Sequence, residues 1–116
     1  MIKELKSNEV FVFGSNLHGI HAAGAARQAK DFFGAIEGKG VGAQGQSYAI
    51  PTLDGNFQKL PLHIVKLYVR DMFDYALSYP NDIFYLTAVG TGIAGYSKEE
   101  METAIPKAVP SNVKRV

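Results

Sequence analysis

The chain has 116 residues, with twelve Lys and Arg against eleven Asp and Glu, a net charge of +1, and 47% hydrophobic and 11% aromatic residues. That length and composition suit one folded domain over residues 1–116 with a real core and argue against a disordered chain, while the near-zero charge disfavours a surface built to coat nucleic acid. Cys is absent, which excludes disulfides, a thiolate nucleophile and Cys-based metal sites; with no apolar leader core in residues 1–6 and no run of 18 apolar residues, a cytoplasmic protein without a membrane partner is expected.

Residues 9–13, Glu9, Val10, Phe11, Val12 and Phe13, form a short β-favouring run ended by Gly14, which predicts a buried strand. Residues 22–33 are rich in alanine, with Ala25, Ala29 and Phe32 or Phe33 at helical spacing and Gly34 as a stop. Residues 35–46 read as a flexible loop, and residues 47–50 as a short strand before Pro51. The clearest helix spans 62–79. Ile64, Tyr68, Met72 and Ala76 form one stripe, Val65, Val69, Phe73 and Leu77 the next, and Lys66, Arg70, Asp74 and Ser78 the polar face. Residues 83–89 predict a second buried strand that runs into Gly90. Ser97 and Glu100 have the spacing of a capping box, opening a helix that stops near Pro106, and residues 112–116 are a short final strand. Alternating strands and helices predict an α/β domain with a mostly parallel sheet, whose ligands sit beyond the carboxyl ends of the strands.

Ten of the twelve glycines fall in three groups: Gly14, Gly19 and Gly24 after the first clear strand, Gly90, Gly92 and Gly95 after the second, and Gly38, Gly40, Gly42 and Gly45 between them. Gly14, Gly19 and Gly24 follow the first strand through Ser15, Asn16, His18 and His21 into the alanine-rich helix. Small side chains there let backbone N–H groups approach a ligand, and the helix N-terminus favours an anion such as a phosphate. The Rossmann pattern fails because Asn16 stands two residues after Gly14, and no Gly-Lys-Ser/Thr of a Walker A loop occurs. Close helix–sheet packing explains the same small residues equally well. Gly90, Thr91, Gly92, Ile93, Ala94, Gly95 and Tyr96 make a second donor-rich loop, with Tyr96 either facing a ring or packing beneath the loop. A third stretch, from Gly42 through Gln44, Gly45, Gln46, Ser47, Tyr48 and Thr52, offers neutral hydrogen-bonding groups or a plain surface loop.

Taken in order, these segments resemble the macro domain, a family that binds ADP-ribose and related nucleotides. Phe13, Gly14, Ser15 and Asn16 align with its Asn-Ala-Ala-Asn tetrapeptide, and His21 to Gly24 with its glycine-rich segment. The run from Gly45 and Ser47 to Pro51 is similar to its Tyr-x-Leu-Pro stretch, and the run from Gly90 to Tyr96 to its late loop. The pattern also resembles short bacterial and phage-encoded macro-like proteins, and the beginning of the chain corresponds to a fold lacking the first macro strands. No Asp precedes Asp31, so the family's adenine-reading carboxylate has no counterpart, and Phe13 stands at the first asparagine. The resemblance implies a three-layer α/β/α domain with a reduced central sheet. It implies that Gly24, Ala25 and Ala26 cradle one phosphate and that Thr91, Gly92, Ile93, Ala94 and Gly95 cradle another. Asn16 would bond the distal ribose with His21 beside it, and Tyr96 would line the ring or ribose.

Two classes of function follow. A binding module needs only the two cradles; an ADP-ribosyl hydrolase also needs a base, for which Asn16 and His21 are the candidates. The alternative is a non-catalytic interaction protein with a vestigial nucleotide crevice. His18 and His21 have no nearby acid to complete a metal site, and no paired-carboxylate signature or nucleophile elbow occurs, so neither a metal nor a cofactor is expected.

Overall fold

The computed structural model describes residues 4–116. In chain order the elements are β1 (Glu9–Asn16), α1 (Gly24–Phe32), β2 (Gly42–Gln44), β3 (Ser47–Leu53), α2 (Leu62–Ser78), β4 (Ile83–Leu86), α3 (Lys98–Ala104) and β5 (Val113–Arg115). The strands form a mixed sheet in the order β2-β3-β1-β4-β5. β1 runs parallel to β3 and to β4, β5 runs parallel to β4, and β2 is antiparallel to β3 at the edge. The α/β class and the mostly parallel pairing follow the sequence pattern.

β1 alternates between two apolar clusters, because successive strand side chains point to opposite faces. Phe11 and Phe13 join Ala26, Ala29, Phe33, Ala35 and Ala49 in the smaller one. Val12 joins the larger one with Tyr48, Ile50, Phe84 and Leu86, where α2 contributes Val65, Val69, Met72, Phe73 and Ala76 and α3 contributes Met101 and Ala104. Burying a phenylalanine against alanines brings α1 close to the strand, with Phe11 and Phe33 rings 4.9 Å apart.

Several boundaries differ from the sequence expectation, each for a local reason. β1 does not end at Gly14 but continues to Asn16, because Gly14, Ser15 and Asn16 pair with Ile50, Pro51 and Leu53. β3 likewise runs through Pro51. β2 pairs only with Ser47 to Ala49, so at Pro51 the strand has no second neighbour to miss the absent N–H. The stretch 35–46 is tied down by Gln44, whose amide donates to the Lys39 and Gly42 carbonyls and accepts from the Ile36 N–H at 2.8 Å. Leu77 extends past the apolar stripe and is 63% exposed.

One difference shapes the molecule. β4 stops at Leu86 rather than at Val89, and β1 pairs with it only as far as Val12. The Thr87 N–H and hydroxyl both donate to the Val12 carbonyl, at 3.2 and 2.7 Å, as the chain turns away. The parallel strands therefore part at their carboxyl ends, which leaves a crevice beside the upper half of β1.

Candidate functional site

The crevice is a cleft of about 330 Å³, within the range of small-molecule sites. Gly14, Ser15 and Asn16 line it from the end of β1, Ala22 to Ala26 from the start of α1, and Thr87 to Gly90 with Gly92, Ile93 and Ala94 from the loop after β4. Thr52, Leu53 and Phe57 close it on the β3 side, with Ile20 at the rim. Nine expected ligand contacts thus meet in one place: Gly14, Ser15, Asn16, Gly24, Ala25, Ala26, Gly92, Ile93 and Ala94.

The polar side chains of this lining are already bonded to backbone. Ser15 donates its hydroxyl to the Gly40 carbonyl, Thr52 donates to Ser15 at 3.4 Å, and Thr87 is held by Val12. Asn16 closes its own loop: its Nδ2 donates to the Ile20 carbonyl at 2.9 Å and its Oδ1 accepts from the Ile20 N–H at 3.1 Å. Asn16 therefore shapes the turn that carries the chain from β1 to α1. None of the lining residues bears a charge.

The backbone supplies what the side chains do not. The first N–H groups of any helix lack an intrahelical partner. At α1 the cap position is Ala23, which provides no side-chain bond, and the first turn holds no acidic residue. The first intrahelical donor is the Arg27 N–H to the Ala23 carbonyl, so the N–H groups of Gly24, Ala25 and Ala26 stay available. In the facing loop Thr91, Gly95 and Tyr96 donate within the loop, to Ala88, Gly92 and Gly90. The N–H groups of Gly90, Gly92, Ile93 and Ala94 donate to no backbone carbonyl among the described residues. Both walls rely on positive φ, +62° at Gly24 and +77° at Gly90, a region that favours glycine. A Cβ at Gly90 would also stand 2.6 Å from Met101 Sδ, so α3 seats directly on this loop.

The remaining expected contacts lie outside the lining. Thr91 donates its hydroxyl to Ala88, and Gly95 offers its carbonyl to Lys59 Nζ at 3.3 Å. Tyr96 packs beneath the loop, its hydroxyl donating to the Leu60 carbonyl; burial first, and the Glu100 charge second, push its phenol up. Gly45 crosses Gly34, where a Cβ would meet the Gly34 carbonyl oxygen at 2.7 Å, and Ser47 is buried with its hydroxyl on Gln44 at 2.7 Å. These two belong to the join between the α1 end and β3.

His21 is wholly buried. Its ring stands edge-on to Phe13 at 5.3 Å, and Nε2 meets the Lys39 carbonyl at 3.1 Å. A carbonyl only accepts, so Nε2 carries the proton, leaving Nδ1 without a partner among the described residues. The His21 N–H donates to Glu37, the main cause of that carboxyl's lowered pKa, with Lys30 second. His21 thus fastens the 36–39 turn under α1 rather than facing the cleft. His18 lies exposed over Gly55, so the two imidazoles are divided between surface and core.

Sequence reasoning passed over Phe57, Thr87 and the run Ala88 to Val89, while Thr52 was among the neutral groups of the third stretch. The Asp54-Gly55 pair was a turn signal that could have located Phe57. No helix among the described residues is long and apolar enough to cross a membrane. Comparison of the chain with protein-family models, with curated proteins and with solved structures returns no match, so the reading of this cleft rests on its own residues.

Proposed function

We propose that the chain binds ADP-ribose or a related nucleotide diphosphate in the cleft between the α1 N-terminus and the Gly90–Ala94 loop. The observation that carries the proposal is the set of N–H groups left without a backbone acceptor on two opposed walls, in a lining whose polar side chains each bond to backbone. Free N–H donors on two opposed walls suit a ligand rich in acceptors, and a diphosphate presents acceptors on both ends of a short linker. Gly24, Ala25 and Ala26 meet one phosphate with the helix dipole behind them; Gly90, Gly92, Ile93 and Ala94 meet the other. Gly14, Ser15 and Asn16 form the floor. The two apolar clusters that share β1 support reading the fold as a reduced, macro-like three-layer α/β/α domain, with α1 on one side and α2 and α3 on the other.

Binding needs only these amides. Cleavage of an ADP-ribosyl linkage needs a base as well, and neither residue expected to serve presents one to the cleft: Asn16 is bonded to Ile20, and His21 is buried outside the lining. A catalysed reaction in this cleft would therefore draw its base from the substrate. Calorimetric titration with ADP-ribose, ADP, NAD and inorganic pyrophosphate tests the proposal. Saturable heat with ADP-ribose and with pyrophosphate supports it. The absence of heat, and of amide shifts at Gly24 to Ala26 and Gly90 to Ala94, would sink it and leave the interaction-protein reading.

A further inference from the structure

We infer that Phe57 is a specificity-determining residue of this cleft, an aromatic shelf that takes a nucleobase ring by stacking and without reading its edge. The inference rests on the diphosphate reading above and extends it to the other half of the ligand.

Phe57 lines the cleft and is 49% exposed. Apolar packing elsewhere in the protein does not account for it, because Phe57 belongs to neither core cluster. It is the one residue other than glycine with positive φ among the described residues, at 60°, a conformation uncommon for a bulky side chain. The turn that imposes it is tightly made. Asp54 Oδ1 accepts from the Asn56 and Gln58 N–H groups at 2.8 and 2.9 Å, the Asp54 carbonyl accepts from the Phe57 N–H at 3.2 Å, and the Asp54 N–H donates to Gln58 at 2.8 Å.

The turn is also braced from both walls. On one side the His18 ring lies over Gly55. On the other, Lys59 Nζ reaches the Gly95 carbonyl at 3.3 Å and sits 4.8 Å from the centre of the Tyr96 ring. A turn held in this way fixes the backbone that carries the ring before a ligand arrives, which reduces the ordering cost of stacking. Across the cleft, Ile93 is 74% exposed and Ile20 is 38% exposed at the rim. These three exposed apolar side chains on a cleft without a charged residue fit a flat, apolar-faced group.

The same lining decides how that group is recognised. Discrimination between bases needs hydrogen-bonding groups aimed at the base edge, and the Ser15, Thr52 and Thr87 hydroxyl donors and an Asn16 amide N–H are turned to backbone carbonyls instead. Every base has a π-face, so stacking on Phe57 accepts any of them. The ligand class is accordingly a nucleoside diphosphate in which the phosphates set position and the base adds affinity with little selectivity.

The test compares the wild-type chain with Phe57→Gly, Phe57→Ala and Phe57→Tyr, titrated with ADP, UDP, GDP and inorganic pyrophosphate. Glycine removes the ring while suiting the positive φ, so loss of binding in that variant is not loss of folding. The expected result is at least about a fivefold weakening of all three nucleotides in the Gly and Ala variants. Pyrophosphate affinity stays unchanged throughout, and Phe57→Tyr binds as wild type. Phe57→Gly binding the nucleotides as tightly as wild type would overturn the shelf while leaving the diphosphate site standing. A preference of more than about a hundredfold for one base would overturn stacking as the means of recognition. Failure of wild type to bind pyrophosphate as well as nucleotides would overturn the diphosphate reading itself.

Discussion

Two helix N-termini in this chain are built in opposite ways. At α3 every first-turn opportunity is taken: the Ser97 hydroxyl accepts from the Glu100 N–H at 3.0 Å, the Glu100 carboxylate accepts from the Ser97 N–H at 2.8 Å, and Glu99 adds a second negative charge. At α1 none is taken, with alanine at the cap and no acid in the first turn. Capping side chains contribute about 1 kcal/mol each, so the α1 terminus forgoes stability that a single substitution could supply. The end that forgoes it faces the cleft, and the end that is capped stands behind it. Under the proposed reading, those unsatisfied donors are the ones a ligand would complete.

Four substitutions or titrations can break or sharpen this contrast. The largest effect is expected at Gly90, which joins the two regions by seating Met101 of α3 against the cleft loop. Gly90→Ala combines a positive φ with a clash and should lower stability by about 2 kcal/mol or more in urea unfolding. A loss below about 0.5 kcal/mol would mean that the loop adapts freely and is no rigid wall.

Next comes Ala23→Asp, which installs at α1 the cap that α3 already has. The extended backbone at Ala23 suits the role. The variant should unfold at higher urea, by about 1 kcal/mol, yet bind pyrophosphate at least about tenfold more weakly, since a fixed carboxylate now occupies the amides. Opposite signs in the two measurements are the signature; equal affinity in the stabilised variant would show that these amides do not hold the ligand. Ser97→Ala is the mirror experiment. It should cost about 1 kcal/mol of stability and leave pyrophosphate affinity within about twofold under folding conditions.

The smallest effect is a titration. The Ser97 N–H, with the Ser97 hydroxyl and Lys59 adding less, holds the Glu100 carboxyl below its ordinary value of 4.5. A carboxyl lowered on folding contributes stability that is present above about pH 4.5 and is lost as pH falls through the lower folded value. Glu100→Gln should therefore flatten part of the acid limb of a stability–pH curve while Ala23 variants other than carboxylates leave it alone. An unchanged acid limb would mean that the cap works through its hydroxyl only.

What could be read from the sequence was whatever depends on neighbours a few residues apart. The capping box at Ser97 and Glu100, the two adjoining α2 stripes apart from exposed Leu77, and the helix stop at Gly34 are all local, and the structure has them as expected. The glycine-rich ends of β1 and β4 do converge, which nine of the expected contacts share. Features set by distant partners escaped. β1 lengthens to Asn16 because β3 extends alongside it, about 36 positions later in the chain. His21 reads as a polar loop residue until Phe13 and Lys39 are seen to enclose it. Tyr96 carries a hydroxyl that a ligand could use, but Leu60, 36 residues earlier in the chain, already claims it.

The brevity of the outermost strands has a consequence for the protein in a crowded solution. β2 and β5 are three residues each, β5 includes Lys114 and Arg115, and the stretch of β3 that outruns β2 contains Pro51. Short, charged or proline-bearing borders give a foreign strand little to pair with. A sheet whose centre is buried apolar chain is thereby kept from growing into its neighbours, and the molecule can leave a row of bare amides at one crevice without offering a template for aggregation along its flanks.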